Sequence, residues 1–107
     1  YITIQQRKTP RRILISDIYY IECVKKHLIY HIEGENIEIS AKLSDTYNEL
    51  KDLEFCQTHQ GYIVNLGKIN RIADGMIMMT NGDKVPISVR KRAGVIAQYA
   101  DFIEKGT

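Results

Sequence analysis

Three clusters of polar and basic side chains punctuate the chain: Lys25-Lys26-His27, Thr58-His59-Gln60 and Arg90-Lys91-Arg92. The first interrupts an apolar run between Val24 and Leu28, the second precedes Gly61-Tyr62-Ile63-Val64, and the third follows Val85 to Val89. Such residues at the ends of strands suit nucleic acid. Lysine and arginine neutralise phosphate, and arginine and glutamine make paired hydrogen bonds to base edges. The competing reading is three solvated loops that never meet, and side-chain chemistry alone leaves both open. The third cluster adds a local conflict. It opens a helical stretch, where cations oppose the helix macrodipole, and conflicts of this kind mark functional positions.

Other chemistry has little support. The sequence contains no P-loop, no GxGxxG, no GxSxG and no HExxH, which removes the best signatures of phosphoryl transfer, dinucleotide binding and common hydrolases. His27 and His31 are four residues apart, but within a strand that spacing only places them on one face, without a third ligand. Cys56 and His59 lack an orienting acid for nucleophilic catalysis. Cys23 and Cys56 have no CxxC, zinc-type or haem-type spacing, so neither a disulfide framework nor a metal site is expected, and a reducing compartment is the default. We expect no cofactor and no enzyme. Two competing classes remain: a β-rich protein-interaction module docking through the strand beside Pro86 or through the terminal helix, and a small enzyme assembled from distant positions.

The elements that must position these clusters are mostly strands. Short runs rich in Ile, Val, Tyr and Thr alternate with turn signals. Ile2 to Gln5, Arg12 to Ile15, Tyr19 to Val24, Leu28 to Ile32 and Asn36 to Ser40 read as strands. Ile69 to Ala73, Met76 to Thr80 and Lys84 to Ser88 read as a meander joined at Asp74-Gly75 and Asn81-Gly82-Asp83. Pro86 cannot donate to a ladder and belongs at an edge. Leu43, Tyr47, Leu50 and Leu53 recur at helical spacing, with Ser40 or Ser44 as the cap, and Val95, Ile96, Tyr99, Phe102 and Ile103 make a second helical stripe. Both stripes are expected to face the core.

With 107 residues, 12.4 kDa, 44% apolar and 26% charged residues, the chain is expected to be one globular domain. It has no run near the roughly 20 apolar residues that cross a bilayer and no signal-peptide pattern, so a cytoplasmic location is expected. It opens on Tyr1 rather than methionine, which reads as a piece of a longer protein. The net charge is only +2, but its distribution is uneven. Arg7, Lys8, Arg11 and Arg12 face only Asp17 in the first 20 residues, residues 21 to 60 hold four lysines against eight carboxylates, and the remainder has seven basic against four acidic residues. A fold that gathered the basic loops would show a cationic face despite the small sum.

The order of motifs resembles the LytTR-type DNA-binding domain of bacterial transcriptional regulators. The matching segments are Ser16-Asp17-Ile18-Tyr19-Tyr20-Ile21-Glu22, then Phe55 through Leu66 with its central His59-Gln60-Gly61-Tyr62-Ile63-Val64-Asn65, then Ile69-Asn70-Arg71-Ile72, and finally Val85-Pro86-Ile87-Ser88-Val89-Arg90. The resemblance implies a mostly β fold of several small antiparallel sheets with two short helices. It also implies that loops, not a recognition helix, read successive major grooves. Carried over position by position, His27, His59, Gln60 and Arg90 are the DNA-facing residues, and Lys25, Lys26 and Arg92 are phosphate contacts by proximity. Gln57, Gln60 and Gly61 depart from the usual pattern, so the middle loop should bind phosphate less strongly and read different bases. As implied by the resemblance, residues 1–107 would be a single output domain, the C-terminal part of a two-component response regulator. Its partners would be double-stranded DNA at paired promoter sites, a second copy on that DNA, and a receiver or sensor domain in the full-length protein.

Overall fold

Neighbouring apolar residues in the central strands point to opposite sides of a sheet, and each side has its own core to receive them. Ile21, Phe55 and Ile63 enter one cluster, whereas Tyr20, Cys56 and Val64 enter another. A sheet buried on both faces reads as continuous apolar runs instead of alternation, which is why Tyr62-Ile63-Val64 carries no polar break. In the computed structural model, which describes residues 1–106, the strands are β1 (Ile2–Gln6), β2 (Thr9–Ile13), β3 (Ile18–Val24), β4 (His27–Ile32), β5 (Glu35–Ser40), β6 (Phe55–His59), β7 (Tyr62–Asn65), β8 (Ile69–Ala73), β9 (Met76–Met79) and β10 (Lys84–Pro86). The helices are α1 (Leu43–Leu50) and α2 (Arg92–Lys105).

All pairings are antiparallel. The central sheet runs β5-β4-β3-β7-β6, with a hairpin β1-β2 and a meander β10-β9-β8 as separate sheets. The hairpin and α1 cover one face, where Ile4, Ile13, Leu43 and Leu50 pack with Ile21, Leu28, Tyr30 and Ile37. The meander and α2 cover the other, where Ile69, Ile77, Met79, Val85 and Val95 pack with Tyr20, Cys56 and Val64. Burying each such Ile, Leu or Phe contributes roughly 1.5–3 kcal/mol. The expected mostly β architecture of several small antiparallel sheets with two helices is therefore the one observed.

Local chemistry explains most boundaries. Asp74 and Gly75 adopt φ of 53° and 72°, the paired positive values of the two-residue hairpin turn that Asp-Gly favours. Pro86 lies on β10, an edge strand. Asn65 closes β7 with its side chain: Oδ1 accepts from the Gly67 N–H at 3.0 Å, and Nδ2 donates to the Ile18 carbonyl at 2.9 Å.

Three expectations need correction. β2 begins at Thr9, not Arg12, because Arg7 and Lys8 form a tight turn at φ of 52° and 65° without any glycine or asparagine to announce it. The first helix is α-helical only to Leu50 and tightens into a 3-10 turn over Lys51–Leu53 that leaves Leu53 exposed; Lys42, neither serine, occupies its N-cap. In α2 the apolar stripe divides: Val95 is buried and Tyr99 and Phe102 pack against the second core, but Ile96 and Ile103 are exposed.

Candidate nucleic-acid interface

Antiparallel pairing and the hydrogen bonds of Thr58 bring the β3–β4 turn, the β6–β7 turn and the segment after β10 to one end of the central sheet. β3 pairs with β7 so that Glu22 stands opposite Tyr62, and the Cys23 N–H reaches past the last pair to the Gly61 carbonyl at 2.9 Å. The β3–β4 turn, Lys25-Lys26, therefore lies beside the β6–β7 turn, Gln60-Gly61. On the far side of β6, the Ser88 N–H donates to the Thr58 carbonyl at 2.9 Å and the Thr58 hydroxyl donates to the Pro86 carbonyl at 3.1 Å. The buried Thr58 thus clamps the segment after β10 to the same strand end. A 3-10 turn over Val89–Lys91 then leads into α2.

The result is a groove of about 670 Å³ lined by Gln57, His59, Gln60, Ser88, Arg90 and Lys91. Its lining is cationic and amide-bearing and includes no carboxylate. His59, Gln60 and Arg90, expected from the sequence, meet here. Gln57, Ser88 and Lys91 join them without having been singled out as site residues by the sequence. Gln57 carries a usable signal, since it sits two residues before His59. Lys91 lies inside the basic run Arg90-Lys91-Arg92, whereas Ser88 enters only through the Thr58 clamp.

Lys25, Lys26 and His27 stand on the adjacent turn, all exposed. Lys25 and Lys26 have φ of 49° and 69°, a turn geometry that costs about 1–2 kcal/mol per non-glycine residue. His27 Nδ1 lies 3.8 Å from Glu38 Oε2, an open ion-pair distance between two exposed groups. Arg92 goes elsewhere: a Cβ placed on Gly75 would stand 2.5 Å from its Nη2, so its guanidinium spreads over the β8–β9 turn and is outside the groove lining.

The His59 ring is fixed from two directions. Its Nδ1 accepts the Gly61 N–H at 3.2 Å, which places the proton of the neutral ring on Nε2. It makes a T-shaped contact with the Tyr62 ring at 5.6 Å and 81°. A bulge between Gln57 and His59 in the β6–β7 register puts His59, and not Thr58, opposite Tyr62. Bulges re-aim side chains in this way.

The sequence of residues 9–99 matches the family model of the LytTr DNA-binding domain. The chain belongs to this family. Over 78 residues this LytTr domain is 27% identical to the sensory transduction protein LytT of Enterococcus faecalis (strain ATCC 700802 / V583), covering 68% of the chain and 32% of the relative, so it spans about a third of that protein's length. Its fold matches that of the LytTr DNA-binding domain of a Bacillus cereus protein described as a methyl-accepting/DNA response regulator. The TM-score is 0.69 at 23% identity, over 97% of this chain and 93% of the other.

Of the two free thiols of the LytTr domain, Cys23 is exposed and Cys56 is not. The Cys56 thiol is fully buried and donates to Gln98 Oε1 at 2.7 Å; burial pushes its pKa up to about 11, which makes it inert. Among the described residues, no group of three or more His, Cys, Asp or Glu converges to hold a metal, and no helix is long and apolar enough to cross a membrane.

Proposed function

We propose that this LytTr domain binds double-stranded DNA sequence-specifically through the loops at one end of its central sheet, as the output domain of a bacterial transcriptional regulator. The observation that carries the reading is the convergence of the β6–β7 turn and the Ser88–Lys91 segment into one carboxylate-free groove, with a dilysine turn alongside. Arg90 is a fork of donors suited to a guanine edge, and Gln60 can pair with adenine. His27 and His59 stand with them nearest the bases. Lys25 and Lys26 neutralise phosphate on the neighbouring turn, and Arg92, over the β8–β9 turn, reaches a flanking phosphate. The domain acts by binding and not by catalysis.

We further read residues 1–107 as one output domain of a longer regulator, joined to a receiver or sensor and working as two copies on paired promoter sites in the cytoplasm. Family membership supports this reading, together with similarity to a longer curated protein, 32% of which is covered by the match. Selection from a random duplex pool, followed by anisotropy titration, tests the proposal. A short recurrent motif is expected, and Arg90→Ala should weaken its binding by about 1–3 kcal/mol while relaxing preference at one base pair. Folded protein that binds no duplex at low salt, or that binds every duplex alike, overturns it.

A further inference from the structure

We propose that Tyr62 is a positioning residue for DNA recognition, holding the His59 ring so that its Nε2–H faces the groove. The inference rests on the DNA-binding reading above and extends it to a residue beneath the loops. A row of rings crosses four adjacent strands of the central sheet. His31 on β4 stacks on Tyr20 of β3 at 4.1 Å and 13°, Tyr20 lies 6.4 Å from Tyr62 of β7, and Tyr62 makes a T-shaped contact with His59 on β6. Register enforces this order, since Tyr20 faces His31 and both Glu22 and His59 face Tyr62.

Glu22 braces the row. Its Oε1 lies 2.9 Å from His31 Nε2, and the same carboxylate acts on Tyr62: burial first, then the Glu22 charge and a hydrogen bond to it, raise the Tyr62 phenol above its ordinary range. The Tyr62 ring thus lies between the rings of Tyr20 and His59. The bulge then delivers His59 onto that ring, and the Gly61 N–H occupies Nδ1. The one ring nitrogen left to meet DNA is Nε2, as a donor. Without the Tyr62 ring, the imidazole would keep only a 3.2 Å backbone contact and would be free to flip.

The test uses the whole domain in Tyr62→Leu, Tyr62→Phe, His59→Ala and Tyr62→Leu/His59→Ala forms. Long-range nitrogen–proton NMR of the free protein reads the His59 tautomer, and anisotropy reads affinity for the selected duplex. Tyr62→Leu should mix the tautomers and lose about fivefold to tenfold in affinity, the scale of one aromatic contact. Tyr62→Phe, which keeps the ring, should hold the wild-type tautomer and stay within about twofold of its affinity. In the His59→Ala background, Tyr62→Leu should add no further loss. An unchanged tautomer in Tyr62→Leu, or additive losses in the double variant, overturns the assignment. If the folded wild type binds no duplex, the DNA reading fails, and the tautomer measurement still decides whether Tyr62 sets the ring.

Discussion

Tyr20 belongs to the second core, yet its hydroxyl reaches the turn between β9 and β10. It donates to Asp83 Oδ2 at 3.0 Å, and Asp83 is itself held by Asn81, whose Nδ2 donates to Oδ2 at 3.2 Å and whose Oδ1 accepts the Asp83 N–H at 2.9 Å. Burial, then the hydrogen bond to Asp83, then the charges of Asp83 and Glu22, raise the Tyr20 phenol well above its ordinary value. The unfolded chain therefore gives up this proton first, near the usual tyrosine value of about 10. Stability from Tyr20 is present in full below that pH and is lost as pH rises toward the native titration. Urea midpoints at about pH 9 and about pH 11 should show a fall in the wild type that is shallower in Tyr20→Phe; equal falls would show that the phenol is not coupled to folding. At this scale the sequence is legible where local pattern defines a side chain's role. Asn65 closes its turn from the end of its strand, and His59, Gln60 and Arg90 line one groove, a convergence that loop chemistry alone left open. The sequence is silent on Tyr20 and Asp83, which are 63 residues apart, because no local pattern encodes a contact made by docking one sheet on another.

Two hairpins close on pairs of basic residues in a conformation that favours Asn-Gly. Arg7-Lys8 joins β1 to β2, and Lys25-Lys26 joins β3 to β4, all four residues at positive φ. Lysine in this geometry sacrifices stability, and at Lys25-Lys26 the return is two cations beside the groove. Replacing Lys25-Lys26 by Asn-Gly should raise folding stability by about 1–2 kcal/mol and weaken duplex binding. The same replacement at Arg7-Lys8 should stabilise similarly and leave duplex affinity unchanged, since that hairpin packs beside β5, at the opposite edge of the sheet from β6. Paired chemical denaturation and anisotropy measurements check both; lost affinity from the Arg7-Lys8 replacement would redraw the interface. These turns also explain the misplaced β2. Turn residues are legible when they are glycine, asparagine or aspartate, as at Asp74-Gly75, and illegible when function or chance puts charged residues there. The shortened α1 and the divided α2 stripe have a similar cause: helical periodicity finds an apolar face, but only packing decides how far along the helix that face is covered.

The net charge of +2 is too small to account for attraction to DNA, so placement must do it. Several of the carboxylates that dilute the charge are engaged by partners of their own. Glu35 pairs with Arg11 at 2.7 Å, Glu33 accepts from the Tyr19 hydroxyl, and Glu22 holds His31. Glu33 and Glu35 border the turn between β4 and β5, at the opposite end of β4 from the dilysine turn. The groove is left with Arg90 and Lys91 and no acidic neighbour in its lining. Salt dependence separates placement from sum, because the slope of log affinity against log salt counts displaced counterions, about 0.9 per phosphate neutralised. Lys25→Ala/Lys26→Ala removes two positive charges and should flatten the slope by up to about 2. Glu49→Lys, exposed on α1, raises the net charge by two and should leave the slope unchanged, because Glu49 stands on the Tyr30 side of the helix, whereas Tyr47, two residues earlier, is the α1 residue that borders Arg90 and Lys91. If both variants moved the slope in proportion to net charge, binding would be a diffuse attraction to the whole molecule. If only the lysine pair moves it, the DNA backbone runs past the β3–β4 turn, and the groove beside that turn is left to read the bases.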